Sequence, residues 1–249
     1  MNTKPNQSKT INLTNNAVLT ILLFFVVNIN LSSQDSTAHP IYKKVLFPSA
    51  LIASGIILTD SKTEQRIQNN VLEITGNSFH NPIDDYLQFV PIVELYVADA
   101  LKVKAKNHWF DQSKYLFISN LLSTGISQVI KRTVLKIRPD NSPYSFPSGH
   151  TTIAFTNATV LYNEFKETSP ILAYSGFIFS GTTGVFRVLN NRHWVSDVLT
   201  GAGLGILVTE LVYYFEPLKN FNPLKNTNKI TLIPHINNQN YSIYFVYSF

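Results

Sequence analysis

Two things are scarce in this sequence: cysteine, which is absent, and charge, which is low. Without cysteine the chain can form no disulfide, no thiolate metal site and no cysteine nucleophile. Charged residues make up 14% of the 249 residues, whereas a typical soluble domain carries roughly 25%. This deficit indicates a membrane protein, or an envelope protein rich in uncharged polar residues.

The charge that is present is mainly positive, with a formal net charge of +5, which favours an anionic partner. Lysine and arginine form no long basic tract, so nucleic acid is not the expected partner. No group of histidines or carboxylates has the spacing of a metal site. We therefore predict that the protein uses neither a metal ion nor another cofactor.

Residues 1–34 have the pattern of an export signal or an N-terminal anchor. Lys4 and Lys9 give a basic start, and an almost unbroken apolar run follows over residues 17–29. Residues 31–34 then offer small and polar positions where a signal could be cleaved. Because the run is shorter than the ~20 residues of a spanning helix, the pattern favours a signal peptide over an anchor.

The central part of the chain contains six apolar stretches, at residues 45–59, 86–101, 115–130, 151–165, 171–186 and 194–215. Each is longer than an ordinary strand and none alternates cleanly, so all are predicted to be helices. The third stretch carries many polar residues between Ser119 and Gln128, which a membrane protein would have to direct into a bundle. We predict an all-α, six-helix bundle within residues 40–218.

The C-terminal residues 219–249 differ in composition from the bundle. An Asn-, Pro- and Lys-rich segment at residues 220–229 is typical of a linker. Residues 230–236 and 241–249 have strand composition and are separated by four polar residues. This pattern predicts a short β-hairpin.

A histidine and an aspartate near the sixth stretch have the spacing of a catalytic pair. His193 and Asp197 are four residues apart, so they share one face if the segment is helical. A carboxylate beside one imidazole nitrogen fixes the tautomer and leaves the other nitrogen free as base or nucleophile. No serine has a comparable arrangement, so His193 itself is the candidate nucleophile.

Three cations and one helix start point to an anion site nearby. Lys131, Arg138 and Arg187 lie at or beyond the ends of apolar stretches, and arginine offers a planar fork of donors that fits phosphate. The segment 147–149, Pro-Ser-Gly, is typical of a helix start, where unpaired N–H groups attract anions. His150 would then lie in the first turn, beside a bound anion. Plainer roles are expected for other acids: residues 60–66 as a solvated loop, and Asp84 and Asp85 as a helix start.

Together these blocks resemble the three-part signature of the type 2 phosphatidic acid phosphatase family, which also includes bacterial class A acid phosphatases and vanadium haloperoxidases. Ten positions match in order and spacing: Lys131, Arg138, Pro139, Pro147, Ser148, Gly149, His150, Arg187, His193 and Asp197. One position departs from the pattern, because Phe186 stands where the family usually has serine. This replacement removes a potential hydrogen bond near Arg187.

The resemblance implies a helical bundle of the phosphatidic acid phosphatase/haloperoxidase type and a metal-independent phosphoric ester hydrolase. His193 would attack phosphorus, Asp197 would orient His193, and His150 would protonate the leaving group. The phosphoryl oxygens would be held by Lys131, Arg138, Ser148, Gly149 and Arg187. A lipid phosphate monoester or pyrophosphate is the expected substrate, since the motifs lie among apolar helices.

Three other functions use features of the same sequence. A soluble, broad-specificity periplasmic acid phosphatase fits the polar residues within the helices. A vanadate-dependent haloperoxidase could use the same anion site, although the short chain argues against it. A non-catalytic envelope protein could use the aromatic hairpin for docking, but the intact catalytic positions argue against that.

Lysines cluster in the segments away from the motifs, at positions 43, 44, 102, 104, 106 and 114. If all six stretches span a membrane, the positive-inside rule places these lysines in the cytoplasm and the motifs outside. A cleaved signal would reverse that orientation, so either residues 17–31 do not translocate the chain or the six helices do not all span. In both cases we expect an envelope protein, membrane-associated or soluble in the periplasm, whose site faces the periplasm or exterior.

Overall fold

The computed structural model describes residues 41–76, 78–215, 217–218, 221, 230–237 and 240–247. In these residues the chain forms eight helices and then a two-stranded hairpin. The helices are α1 (Tyr42–Leu58), α2 (Lys62–Thr75), α3 (Ile83–Leu87), α4 (Val90–Ala100), α5 (Trp109–Val134), α6 (Gly149–Phe165), α7 (Pro170–Leu189) and α8 (Val195–Tyr214). The strands are β1 (Ile230–Asn237) and β2 (Asn240–Tyr247).

The prediction of a helical bundle with a C-terminal hairpin is confirmed, but it omits two helices. All six apolar stretches are helical, and the second begins later than predicted because the short α3 precedes it. Helix α2 occupies the segment that the sequence predicts to be a solvated loop. Its start is a reciprocal cap: Ser61 accepts a hydrogen bond from the Glu64 N–H at 3.1 Å, and Glu64 accepts one from the Asp60 N–H at 2.9 Å.

Helix α8 is the centre of the bundle, because it packs against α1, α5 and α6 and nearly all of its side chains are buried. Two glycines permit the close approach of α6. A Cβ at Gly201 would lie 2.7 Å from the Ser148 carbonyl oxygen, and one at Gly205 would lie 2.5 Å from that of Thr152. Both distances are shorter than real Cβ contacts, so α8 can reach the start of α6 only without these side chains.

Helix α5 is polar inside and apolar outside. The buried positions of its inner face include Gln112, Ser119, Ser123, Ser127 and Lys131, whereas the exposed ones include Phe117, Leu121, Leu122 and Val129. Hydrogen bonds satisfy part of the inner face, since Thr156 donates to the Ser123 hydroxyl at 2.9 Å. The bundle interior therefore absorbs the three serines of the third predicted stretch, whereas Gln128 stays exposed.

Helix α7 repeats this pattern, with small or polar residues inside and large apolar ones outside. Gly176, Ser180 and Thr183 are buried, while Ile171 and Ile178 are 89% and 70% exposed. In an ordinary soluble protein the polarity would run the other way. The outer surface formed by α5 and α7 is thus suited to an apolar environment.

Among the described residues one helix, α8, is long and apolar enough to cross a membrane by length and composition. The bent pair α1 and α2, which meet at 88°, passes the same test when taken together. Since 78% of α8 is buried inside the bundle, its composition also suits a central core helix.

The chain divides into two compact units, Met1–Tyr214 and Phe215–Phe249. Within the second, β1 and β2 pair antiparallel with Ile230 opposite Tyr247 and Asn237 opposite Asn240. The predicted export segment, residues 1–34, lies outside the described residues. Its assignment as a separate region, like the predicted boundary at residues 218 and 219, stays a prediction.

Candidate active site

The histidine and aspartate that the sequence predicts to pair do so at the start of α8. His193 Nδ1 lies 3.3 Å from Asp197 Oδ2, and both side chains are almost fully buried. No described residue forms a hydrogen bond with His193 Nε2, which leaves that nitrogen free to act as a nucleophile or base. Burial lowers the pKa of His193 to about 4, against the raising effect of its hydrogen bond to Asp197. The imidazole is therefore neutral at pH 7.

Besides His193, four groups hold the carboxylate of Asp197, one of which is the Ser196 hydroxyl at 3.4 Å from Oδ1. The Trp194 N–H donates to Oδ2 at 2.9 Å, and the Ser145 hydroxyl donates to the same oxygen. The Lys136 ammonium donates to Oδ1 at 3.1 Å. With both oxygens engaged, the carboxylate has one orientation, and so does the imidazole that it contacts.

The structure brings the three predicted cations to the same place. The positive charges of Lys131 and Arg187 act on His193, where both oppose protonation. The charge of Arg187 likewise acts on Arg138, whose pKa is lowered first by burial and then by Arg192. Lys131 is buried and donates to the carbonyl oxygens of Tyr144 and Ser145 at 3.0 and 3.4 Å.

Both arginines retain buried donors. The Nε atoms of Arg138 and Arg187 are buried and have no hydrogen-bond partner among the described residues. A buried donor without a partner is unfavourable by about 1–3 kcal/mol. The fork geometry of guanidinium matches the oxygens of a phosphoryl group, so an anion of this kind would satisfy them.

Arg187 is held by two acids for which the sequence predicts only a helix-start role. Its Nη1 lies 2.8 Å from Asp84 Oδ2 and 3.7 Å from Asp85 Oδ1. Asn190 donates to the other oxygen of Asp84 at 3.0 Å. These contacts fix Arg187 in the absence of the serine that Phe186 replaces.

His150 lies beside the same acids, in the first turn of α6. Its Nε2 is 2.9 Å from Asp85 Oδ1, and about a third of its side chain is exposed. The imidazole can therefore meet a leaving group from solvent or from a lipid surface, as a general acid must. Burial and the charge of Arg187 lower the pKa of His150, and the Asp85 carboxylate opposes them by favouring the protonated form.

The start of α6 differs in one respect from expectation. Ser148 is the N-cap residue, but its N–H donates to the Asp197 carbonyl oxygen at 3.0 Å and its hydroxyl accepts from Thr151. Its N–H is thus not available to an anion. Gly149 is the first residue of α6, where backbone N–H groups have no intrahelical partner. This turn, rather than the Ser148 N–H, is the part of the cap that could bind phosphate.

Sequence reasoning missed four residues of the site: Glu64, Asp84, Asp85 and Lys136. The sequence did contain a sign of Glu64's helix, because Ser61 and Glu64 have the spacing of a capping box at a helix start. Asp84 and Asp85 precede the motifs by more than forty residues, so only the fold brings them to Arg187. Nothing in the local sequence distinguishes Lys136 from an ordinary surface lysine.

Comparison with known proteins identifies relatives of the segment that carries the site. Residues 113–221 match the model of the PAP2 superfamily, and they contain every residue of the three-part signature. The chain thus contains a segment that matches the PAP2 superfamily. It is 35% identical over 170 residues to a lipid A 1-phosphatase of Porphyromonas gingivalis, covering 66% of this chain and 38% of that protein. A phosphatidylglycerophosphatase B of Bacillus subtilis is 33% identical over 110 residues, covering 39% of this chain and 54% of that protein.

The chain therefore matches about two fifths to one half of the length of these PAP2 relatives. Among solved structures, it is similar to the crystal structure of Aquifex aeolicus LpxE, with 22% identity and a TM-score of 0.47. The match covers 64% of this chain and 99% of that one.

Proposed function

We propose that this protein hydrolyses a lipid phosphate monoester or pyrophosphate through a phosphohistidine intermediate. The observation that carries the proposal is the buried His193–Asp197 pair beside three cations, two of which retain unpartnered buried donors. Phosphoryl transfer depends chiefly on positioning and charge stabilisation. A nucleophile next to a cationic anion site supplies both.

In the proposed first step His193 Nε2 attacks phosphorus in line and the alkoxide leaves. Lys131, Arg138 and Arg187 balance the charge on the phosphoryl oxygens, and the first turn of α6 adds backbone donors. His150 gives its proton to the leaving oxygen. In the second step His150, now neutral, takes a proton from water, which attacks phosphorus and releases phosphate from His193.

No step of this scheme requires a metal ion. Within the part of the chain that the structure describes, no group of three or more His, Cys, Asp or Glu side chains could hold one. We expect hydrolysis to survive EDTA and to be inhibited by orthovanadate, which mimics phosphate. Activity that EDTA abolishes and Mg²⁺ or Zn²⁺ restores would contradict the scheme.

A lipid substrate is favoured by two observations. The exposed surface of α5 and α7 is apolar while their buried faces are polar, which suits contact with hydrocarbon. The two curated relatives act, by their names, on lipid A and on phosphatidylglycerophosphate. A glycolipid phosphate, a phosphatidate or a polyprenyl (pyro)phosphate would each present its phosphate at the membrane surface.

The orientation we propose places the site on the periplasmic or exterior side. Lys114 lies near the start of α5 and Lys131 near its end, about 26 Å apart along the helix axis. The lysine-rich segments at residues 43–44 and 102–106 adjoin the ends of the helices away from the site. Positive residues favour the cytoplasmic side, so the catalytic end would face outward.

Acid quenching tests the nucleophile directly. Wild type mixed briefly with a ³²P-labelled substrate should yield base-stable, acid-labile protein-bound phosphate, whereas His193→Ala should yield none. His235→Ala is the matched control and should retain the label. Label that persists on His193→Ala would refute His193 as the nucleophile.

A further inference from the structure

A buried lysine links the candidate catalytic aspartate to a helix outside the signature. The Lys136 ammonium lies 2.9 and 3.1 Å from the two oxygens of Glu64, 2.7 Å from the Ser196 hydroxyl and 3.1 Å from Asp197 Oδ1. The side chains of Lys136, Glu64 and Asp197 are 4%, 1% and 0% exposed. Ser196 closes the cluster by donating to Glu64.

This cluster is connected to the site through one oxygen. Lys136 occupies Oδ1 of Asp197 and leaves Oδ2 to His193, Trp194 and Ser145. Its amine also lies 5.6 Å from the Trp194 ring centroid, so the lysine braces the residue next to His193 as well. A purely structural ion pair would need only Glu64 and Lys136, without a contact to Asp197.

The charges of the cluster set the field behind His193. Glu64, Lys136 and Asp197 together carry one net negative charge when all are ionised. Without Lys136, two buried carboxylates would face each other, and the field behind His193 would become more negative. Without Glu64, the ammonium would cancel the charge of Asp197, and the imidazole would lose its electrostatic partner.

We propose that Glu64 and Lys136 are positioning residues that fix the orientation and effective charge of Asp197 behind the nucleophile His193. Their catalytic consequence rests on the proposed function. The proposal assigns a role to α2, which precedes the matched family segment and supplies Glu64. Gln68 anchors the same helix to the site by donating to the Val188 carbonyl and the Asn191 side chain at 3.3 and 2.8 Å.

Opposite charge changes should move the acid limb of the pH profile in opposite directions. Lys136→Met removes a positive charge, which favours protonated His193 and should shift the limb of kcat/KM to higher pH. Glu64→Gln removes a negative charge and should shift it to lower pH. Shifts on the order of one pH unit are expected for a unit charge at this range. The other groups that act on His193 or Asp197, namely Lys131, Arg138 and Arg187, are unchanged in both variants.

Two further variants separate charge from folding. Lys136→Arg keeps the charge and should retain a limb near that of wild type. The double variant Glu64→Gln/Lys136→Met restores the net charge and should return the limb toward wild type, even if both single variants have a lower melting temperature. If Glu64 and Lys136 only stabilise the fold, the variants should change the melting temperature and leave the acid limb of kcat/KM at its wild-type pH. That result would overturn the proposal.

The same shift can be measured without turnover. The ¹⁵N chemical shifts of the His193 imidazole, followed against pH in the labelled full chain, report its protonation in wild type and Glu64→Gln. A wild type that hydrolyses no phosphate ester would refute the proposed function, while a lower His193 pKa in Glu64→Gln would still support the network. An unchanged His193 titration in Glu64→Gln would overturn the network whatever the activity.

Discussion

At the scale of single residues, the two histidines of the site differ in how far they are buried. His193 is 1% exposed while His150 is only partly buried, although both lie beside arginine and carboxylate side chains. Burial lowers the pKa of both imidazoles, to about 4 in His193, and in His150 the Asp85 carboxylate opposes this effect by favouring the protonated form. The proposed roles of nucleophile for His193 and general acid for His150 are consistent with these environments.

The pH dependence of His193 is the first consequence. Because its pKa is lowered to about 4, the proposed nucleophile is unprotonated throughout the neutral range. As the pH is lowered from neutral, we expect kcat/KM to stay constant until the pH nears about 4. Below that pH it should fall roughly tenfold per pH unit. An acid limb centred near the ordinary histidine value would contradict a buried, neutral His193.

The free energy of unfolding should also depend on pH through the protonation of His193. The folded pKa of His193 lies below the roughly 6.5 of an unfolded histidine, so the unfolded chain binds this proton more readily. The stabilising contribution is complete above pH 6.5 and declines as pH falls toward about 4. Urea unfolding at each pH checks this, and in His193→Gln the decline over that interval should be smaller.

The proposed role of His150 as general acid can be tested with substrates that differ in their leaving group. His150→Ala should reduce the rate roughly 10²–10⁴-fold for alkyl phosphates, and less for p-nitrophenyl phosphate, whose leaving group needs little protonation. Asp85→Asn should move the basic limb of kcat/KM to lower pH, since it removes the carboxylate that favours protonated His150. Asp111→Asn, which alters a carboxylate near the opposite end of α5, is the control. Equal losses on both substrates in His150→Ala would contradict the role of general acid.

The sequence predicted the residues of the signature but not those that hold them. Lys131, Arg138, His150, Arg187, His193 and Asp197 stand at spacings that chemistry and resemblance both support. Their supports, Asp84 and Asp85 on Arg187 and Lys136 on Asp197, are contacts between distant segments. Spacing along one helix predicts contacts within a few residues, whereas contacts between helices require the packed fold.

At the scale of elements, hydrophobic periodicity predicted the long helices well and their packing poorly. The apolar stretches all proved helical, because length and composition suffice for that inference. The inverted polarity of α5 was predicted only for the case of a membrane protein, because its serines at i, i+4 and i+8 are equally compatible with a surface face. Helix α2 was missed because it is mostly polar, although its capping box marked its start.

The close packing of α6 against α8 can be tested at a glycine. Gly205→Ala would place a Cβ 2.5 Å from the Thr152 carbonyl oxygen, and should destabilise the fold by about 1–3 kcal/mol through forced separation of α6 and α8. Gly125→Ala in α5 is the matched control, because nothing lies within 4 Å of the position that its new methyl group would occupy. It should stabilise the helix by about 0.5–1 kcal/mol. Thermal unfolding in detergent measures both, and equal melting temperatures would contradict close α6–α8 packing.

At the scale of the whole molecule, the two ends of the bundle differ in chemistry. One end holds the cationic site, and the other holds a cluster of polar side chains around Glu164. The side chains of Asn107 and Tyr213 donate hydrogen bonds to Glu164 Oε1 at 2.8 and 2.6 Å. Lys44 pairs with Glu210 at 2.9 Å near that second end. The apolar outer surface of α5 and α7 lies between these two polar ends, an arrangement that would suit a bilayer.

The substrate class follows from that arrangement and gives the last prediction. If α5 and α7 face hydrocarbon, the site opens at headgroup depth, and acyl or prenyl chains can stay in lipid while the phosphate enters. Binding energy from those chains can then act on the reacting phosphorus. We expect kcat/KM for a lipid phosphate in detergent micelles to exceed that for a short soluble phosphomonoester at least about tenfold, or ~1.4 kcal/mol of transition-state stabilisation.

His193→Ala supplies the background rate for both substrates, and carbonate extraction of membranes supplies an independent measurement. A protein embedded through its apolar surface stays with the membrane pellet at alkaline pH, whereas one held only by charge is released. Retention together with the tenfold preference is the expected result. Release by carbonate with equal efficiency on both substrates would instead favour a soluble periplasmic acid phosphatase, because the exposed side chains of α5 and α7 would then face water rather than lipid.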